Sequence, residues 1–354
     1  MASPVYIVAA SARTPLGLDA EASAAAVRAG ISALSEHPFL VDQAGDMMPG
    51  ALDAEIDPYV FGSDRLLLLA EPALRELLDT VKRWPSSGPE LSIFLGLPEL
   101  RPGFTESDVE AIRLGIERLD DLPVALGAVL AYPRGHAAGA FAFGAAVQNA
   151  QSDPSSLSIV GGIESYFHPQ TMEWLDSNRQ LANSVSRSGF VPGEGAAFLL
   201  LAGSEAVKLF GMKPIARVDA VGVATETKLI RTSDTCLGEG LTEAVKKAVS
   251  GLRPPGQAIS DILCDLNTER YRGEEWGFVC LRLAQFFEDP TTYLSPSDRW
   301  GDMGAASVPL FGMLACDAAQ KGYSTGSRAL LWASSENGLR GAVRLEMNNG
   351  GGNG

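Results

Sequence analysis

Histidine is scarce in this chain: three residues in 354, at His37, His136 and His168. With so few imidazoles, no HExxH or two-His metal site follows from the spacing, and a Ser-His-Asp arrangement has few bases to choose from. Cysteine is sparse too. Cys236, Cys264, Cys280 and Cys316 are widely separated, with no CxxC pair. That pattern suits free thiols in a reducing compartment better than a disulfide framework or a zinc site. Basic residues are outnumbered, 28 Lys plus Arg against 43 Asp plus Glu, for a formal charge of −15. Without a local basic stripe, such a chain is a poor partner for nucleic acid. Long apolar runs are missing as well; the run from Ala196 to Ala202 falls far short of the roughly 20 residues that span a bilayer. The opening MASPVYIVAASARTPLG has no basic segment followed by a long apolar core, so no signal peptide is expected and the protein is read as cytoplasmic. No GxxxxGK[ST] loop and no GxSxG elbow occurs, which removes support for a phosphate-binding loop or a hydrolase nucleophile. No motif asks for a cofactor.

What is present points to a folded α/β protein. Apolar residues make up 46% of the chain and charged residues only 20%, which argues against disorder. The length is large for one core, so two domains or two intertwined halves are expected. Short apolar runs read as buried strands at Val5 to Ala9, Leu91 to Leu97, Val124 to Leu130 and Leu157 to Val160. Further runs are Ala197 to Leu201, Ala216 to Val223, Ile259 to Leu266, Ala329 to Ala333 and Gly341 to Met347. Helical spacing of apolar residues covers Asp64 to Val81, about Ala137 to Gln151, Gly238 to Val249 and Ala305 to Gln320. Strands alternating with helices predict a mainly parallel sheet covered on both faces.

The stretch Ala202 to Pro214 is the best junction, because the same order of strand and helix restarts after it. This divides the chain into halves at 1–205 and 206–347. The tail from Asn348 to Gly354 is low in complexity and carries too little apolar surface to pack, so it is expected to be disordered.

Several segments, taken in order, resemble the beta-ketoacyl-ACP synthases of the thiolase superfamily. Thr14-Pro15-Leu16-Gly17 and Val27-Arg28-Ala29-Gly30-Ile31-Ser32 are similar to that family's TPLG and LxAGxS segments, and Asp64-Arg65 fits at the head of the next helix. Ser188-Gly189-Phe190-Val191-Pro192-Gly193-Glu194-Gly195-Ala196-Ala197 is similar to its DGFVxGEGAG strand entrance. Gly301-Asp302-Met303-Gly304-Ala305-Ala306 resembles its GHxxGAAG loop. The resemblance implies a thiolase-like five-layered α-β-α-β-α fold of two pseudo-symmetric halves, and a homodimer or a heterodimer with a synthase-fold partner. It also implies a site where a nucleophilic Cys at a buried helix N-terminus is acidified by backbone N–H groups and the helix dipole. Two His residues in the family stabilise the enolate formed from a malonyl thioester, and a Lys tunes the charge.

This chain departs from that pattern at each catalytic position. The resemblance places His136 at the nucleophile position, beside Arg134. Asn267 stands at the first His position and Asp302 at the second, in a loop one residue shorter, so that alignment can slip. The family Lys falls near Ser297 or Asp298. A His at a helix start with no evident partner base would form only a labile acyl-imidazole. Asn267 donates a hydrogen bond but brings no positive charge. An ionised Asp302 about 4 Å from an enolate costs roughly 4 kcal/mol at an effective dielectric of 20, about three decades of rate. Condensation by the family mechanism is therefore not expected.

His136, Asn267, Asp302 and Arg134 remain binding candidates. Each also has a plain structural reading: His136 as a filler bonded to a neighbouring carbonyl, and Asp302 as the N-cap of the next helix. Glu194 is read as structural, and Cys236 as an ordinary thiol or a reactive one. Three functions compete: a non-condensing subunit that binds a synthase, an acyl carrier protein or an acyl-CoA-type ligand; an acyltransferase with a rearranged site; and a structural homodimer in a larger assembly. A carrier protein is acidic, so an acidic chain would need a basic patch to dock one, with Lys208, Lys213, Lys246 and Lys247 the candidates.

Overall fold

The computed structural model describes residues 3–42, 44–81, 90–183, 186, 188–229 and 234–348. The first half runs β1 (Val5–Arg13), α1 (Ala20–Ala29), β2 (Ser35–Val41), β3 (Met47–Gly50), α2 (Gly62–Asp79), β4 (Leu91–Leu97), α3 (Glu106–Glu117) and β5 (Leu126–Pro133). It continues through α4 (Ala138–Ser152), β6 (Leu157–Ser165), α5 (Pro169–Ser177), β7 (Glu194–Gly203) and α6 (Ser204–Leu209). The second half holds β8 (Ala216–Thr225), α7 (Glu239–Ala248), β9 (Asp261–Cys264), α8 (Arg270–Leu283), α9 (Ser297–Trp300), α10 (Ser307–Lys321), β10 (Arg328–Ser334) and β11 (Leu339–Met347).

Nine strands form one sheet in the order β5-β4-β6-β7-β1-β8-β11-β10-β9, and β2 and β3 pair separately. From its outer edge inward, the first half presents its third, second, fourth, fifth and first large-sheet strands. The second half repeats that order from the opposite edge, with its third strand reduced to one bridge between Leu294 and Leu263. The halves therefore mirror one another across the antiparallel β1–β8 pair. The expected mainly parallel sheet is corrected. Parallel pairing is confined to β4–β5, β4–β6 and β9–β10, and the other neighbours in the sheet run antiparallel. Crossovers through helices return the chain to the same end and give parallel pairs. The tight turn at Ser335 to Gly338 reverses β10 directly into β11 and gives an antiparallel one.

Five layers result. α2 and α3 cover one half of the sheet and α7 and α8 the other, while α4 and α10 lie between the two halves of the sheet. A helix enclosed on every side has no polar stripe, and α4 and α10 are accordingly apolar almost all round. Their small residues set how close they come. A Cβ on Gly139 would lie 2.6 Å from Pro309 Cδ and 2.8 Å from Val308 Cβ, so a larger residue there forces α4 and α10 apart.

Of the tail, Asn348 is tied down, its N–H donating to Ile215 O and its amide to Pro214 O; the expectation for 349–354 lies outside the described residues. Among the described residues, no helix is long and apolar enough to cross a membrane.

Candidate functional site

Three of the segments that carried the family resemblance, those holding Arg65, Glu194 and Asp302, are joined at the head of α10. Arg65 makes a bidentate pair with Glu194, at 2.6 Å for each nitrogen, and both are buried. Glu194 also accepts from the backbone of Asp53 and from Ser165 Oγ. The chain at Val191 to Gly193 then bonds through its backbone to Asp302 on both sides.

Each central helix begins with a short 3-10 turn, Gly135–Ala137 before α4 and Gly304–Ala306 before α10. The two turns abut. Gly304 sits at φ 41°, where a Cβ would fall 2.0 Å from Glu164 Oε2. That space belongs to the Glu164 carboxylate, which accepts from the N–H of Ala305 and pairs with Arg101 Nη2 at 2.6 Å. At the other head the N–H of Ala137 donates to Ser335 Oγ at 2.8 Å. This helix-start donor is already committed inside the protein.

His136, Asn267 and Asp302, distant in sequence, converge. His136 Nε2 lies 2.7 Å from Asp302 Oδ1, and Asn267 Nδ2 donates to Asp302 Oδ2 at 2.7 Å. Tyr166 Oη and the N–H of Gly304 also donate to Asp302 Oδ1, at 3.0 and 2.9 Å. Asp302 thus accepts the N–H of Gly304 two residues on and anchors the cluster, while the N-cap positions of the turn and of α10 are Met303 and Ala306. His136 has the acidic partner that the sequence did not reveal.

Beside them lies Arg272 of α8, fully buried. Its Nε donates to Glu269 at 2.9 Å, and its Nη1 donates to Asp265 at 2.5 Å and to Ser334 O at 2.6 Å. Its Nη2 stands 3.2 Å from His136 Nε2. A guanidinium can only donate, so an Nε2–H directed at Asp302 makes this last approach a charge contact and not a hydrogen bond.

Protonation follows from these contacts. Burial pushes the Asp302 carboxyl up, but the charge and hydrogen bond of His136 and the charge of Arg272 outweigh it and hold it well below the usual range. For His136, burial is the largest influence and pulls the imidazole down, with Arg272 acting the same way. The charge and hydrogen bond of Asp302 and the charge of Asp265 together outweigh them, so the net direction is upward. Burial raises Asp265 and Glu269 above ordinary carboxylates, with Arg272 opposing. The His136 Nε2 lone pair therefore holds a proton and is not a free nucleophile.

The space left is small. A crevice of about 40 Å³ reaches His136 between Arg101, Glu164, Tyr166, Trp174 and Glu336. It has room for a few waters at roughly 10–15 Å³ each, and none for an acyl chain.

Arg134 does not join the cluster. It is exposed, with its guanidinium 4.6 Å above the Phe141 ring, because the Gly135 turn at φ 66° directs the chain inward only after it. Arg272, Asp265, Glu269 and Tyr166 were missed by sequence reasoning. The i,i+3 spacing of Glu269 and Arg272 was the one available signal. The other two histidines lie elsewhere: His168 Nδ1 caps α5 by accepting from the N–H of Gln170, and buried His37 is pulled down to about 4 by burial and by Arg65.

Glu226, Cys236 and Glu275 bring ligand atoms within 4.8 Å of one another. Arg340 already pairs with both oxygens of Glu275, backbone N–H groups occupy Glu226, and burial pushes the Cys236 thiol up to about 11. The cluster is a protein-satisfied one.

Residues 127–206 match the family model described as beta-ketoacyl synthase, N-terminal domain. No curated protein matches the chain by sequence. Among solved structures, the chain is similar to a type II polyketide synthase ketosynthase, in complex with its acyl carrier protein and bound to a hexaketide. That match has 15% identity and a TM-score of 0.77, covering 98% of this chain and 100% of that one. It is similar to the ishigamide ketosynthase/chain length factor, at 19% identity and a TM-score of 0.71, covering 97% and 99% of the two chains. A beta-ketoacyl synthase from Burkholderia phymatum gives 16% identity and a TM-score of 0.71, covering 98% and 99%.

Mirrored halves around two buried central helices give this chain a thiolase-like fold, the fold of the ketosynthase structures it resembles. The match to the beta-ketoacyl synthase N-terminal domain covers residues 127–206, and the likeness to ketosynthase structures extends over nearly the whole chain at the level of the fold.

Proposed function

We propose that the protein is a ketosynthase-fold subunit that does not itself run condensation and works by pairing with another chain of this fold, a second copy or a different one. The filled site carries this reading. His136, which the sequence resemblance puts at the family nucleophile's place, has its Nε2 proton committed to Asp302 and only a crevice of about 40 Å³ beside it. A decarboxylating site needs unspent donors aimed at a developing oxyanion. Here Asn267, Tyr166 and the N–H of Gly304 all serve Asp302, and Arg272 serves Asp265, Glu269 and Ser334 O.

The partner half of the reading rests on β5. It is an edge strand, and Leu130 on it is 43% exposed. An open strand edge with apolar side chains is a template for pairing with another chain. One of the similar structures is itself a ketosynthase/chain length factor. The two halves divided at 205/206 are read as parts of one folding unit, since α4 and α10 each pack against strands of both. Docking of a carrier protein gains less support: Lys246 and Lys247 both sit beside Glu243, at 4.0 and 3.9 Å, and Lys208 lies apart on α6.

One feature favours the competing acyltransferase reading, namely the His136–Asp302 pair, since carboxylate-oriented imidazoles serve acyl transfer elsewhere. The crevice leaves no place for the acyl group that such a step would move.

The test is incubation of purified protein with malonyl and acyl thioesters of a carrier protein and of CoA. The expected outcome is no carbon dioxide release above blank and no mass adduct on the intact chain. Decarboxylation at ordinary synthase rates, or an acyl adduct on His136, overturns the reading.

A further inference from the structure

The second half of the sheet ends abruptly. β4 in the first half is flanked by β5 along its length, whereas β9 is four residues long and meets only Leu294 at the corresponding place. Beside this shortened edge α1 and α10 border a cavity of about 350 Å³. Its floor is apolar, including Ala24, Val27, Leu263, Leu294, Leu314 and Ala318. Cavities of this size and lining are typical of small-molecule sites.

Two arginines stand in its wall. Arg28 lies 4.7 Å over the Tyr323 ring and 4.0 Å from Asp317. Arg299 reaches Asp298, an exposed carboxylate, through Nη1 at 3.1 Å, and its side chain is 25% exposed in the cavity wall. A guanidinium in the wall of an apolar cavity has an anionic oxygen as its natural complement. The acid in the wall, Asp261, does not supply it: its oxygens accept from the N–H groups of Thr325 and Gly326 and from Ser260 Oγ.

We propose that this cavity binds a small monocarboxylate with an apolar chain, the chain on the floor and the carboxylate against Arg299, with Arg28 adding positive charge. A singly charged head fits better than a phosphate, because Asp261, Asp298 and Asp317 surround the site and the protein carries −15 overall. This site is separate from the cluster at His136 and stands whether or not the chain is catalytically active.

The probe is decanoate, titrated into the full chain labelled with carbon-13 at methionine methyl groups. Met347 lines the cavity, and its signal is assigned by Met347→Leu. The expected result is a saturable shift of that signal, with affinity at least about tenfold weaker for Arg299→Gln and for decanol, which keeps the chain and removes the charge. An unmoved Met347 signal at millimolar decanoate overturns the proposal, as does decanol binding as tightly as decanoate. Arg299→Gln binding like the wild type also overturns it. The decanol comparison needs no variant, so it decides the matter even if Arg299→Gln does not fold.

Discussion

His136 Nε2 and Asp302 Oδ1, 166 positions apart in sequence, are 2.7 Å from one another and join the heads of the two central helices. Each residue belongs to the turn that opens one of these helices, so the contact ties the first half of the molecule to the second across its pseudo-symmetry. A pair in that place closes the fold. It commits the His136 Nε2 proton to the fold and not to chemistry.

Removing the Asp302 charge should therefore be severe for stability. In Asp302→Asn, His136 and Arg272 remain buried beside a neutral amide, and breaking a buried ion pair by deleting one partner costs about 3–5 kcal/mol. Urea unfolding followed by circular dichroism should show a loss of this size. A change below about 1 kcal/mol would mean that the pair is not holding the halves together.

The same contact predicts a pH signature. The ordinary value for His is 6.5, and Asp302 raises His136 above it in the folded state. Its stabilisation is complete below 6.5 and declines as pH rises through the elevated folded value. Asp302 is depressed below its ordinary 3.8, so its contribution is present above 3.8 and fades only as pH falls through the lower folded value. Together they favour the range from 3.8 to 6.5. The melting-temperature advantage of wild type over His136→Gln should shrink between about pH 6 and about pH 9. An advantage that stays constant over that range contradicts the assignment.

Much of this arrangement was legible from sequence. The strand at Leu91 to Leu97 matches its observed bounds, and the periodic helix predicted from Asp64 is α2. The resemblance singled out positions 136, 267 and 302 but left open whether their side chains meet, because contacts between loops so distant in sequence are set by the fold. Arg272 was not legible. The inward face of α8 is built from Tyr271, Arg272 and Glu275 with Trp276, so its apolar period is broken and the helix gave no signal. Arg134 misled for a local reason: adjacency to His136 says nothing about direction across a turn whose glycine is left-handed.

Restoring a thiol alone should not restore chemistry. In His136→Cys the sulfur would occupy a buried place from which the imidazole has gone, leaving the ionised Asp302 near it. Burial and a neighbouring carboxylate both raise a thiol pKa, as burial does for Cys264, pushed far above the ordinary thiol range, and for Cys316, pushed up to about 12. Intact-mass analysis after incubation with an acyl-CoA should show no adduct. Stoichiometric acylation of His136→Cys would show that the pocket opens more than the 40 Å³ crevice indicates.

Self-association through β5 makes a final prediction with two independent readouts. Leu130 is 43% exposed on an edge strand, so Leu130→Lys should leave the fold intact. A charge on an open edge blocks strand-to-strand pairing, and sedimentation should show the dimer weakened by about tenfold or more. Salt supplies the second readout. Two copies of a chain carrying −15 repel each other, and screening shortens that repulsion to about 8 Å at physiological ionic strength. Added salt should thus strengthen a dimer of identical chains, whereas a partner of opposite charge would bind more weakly. A dimer unaffected by Leu130→Lys would place the interface on another face, because a lysine in the middle of β5 cannot be accommodated in a strand pair with a second apolar edge.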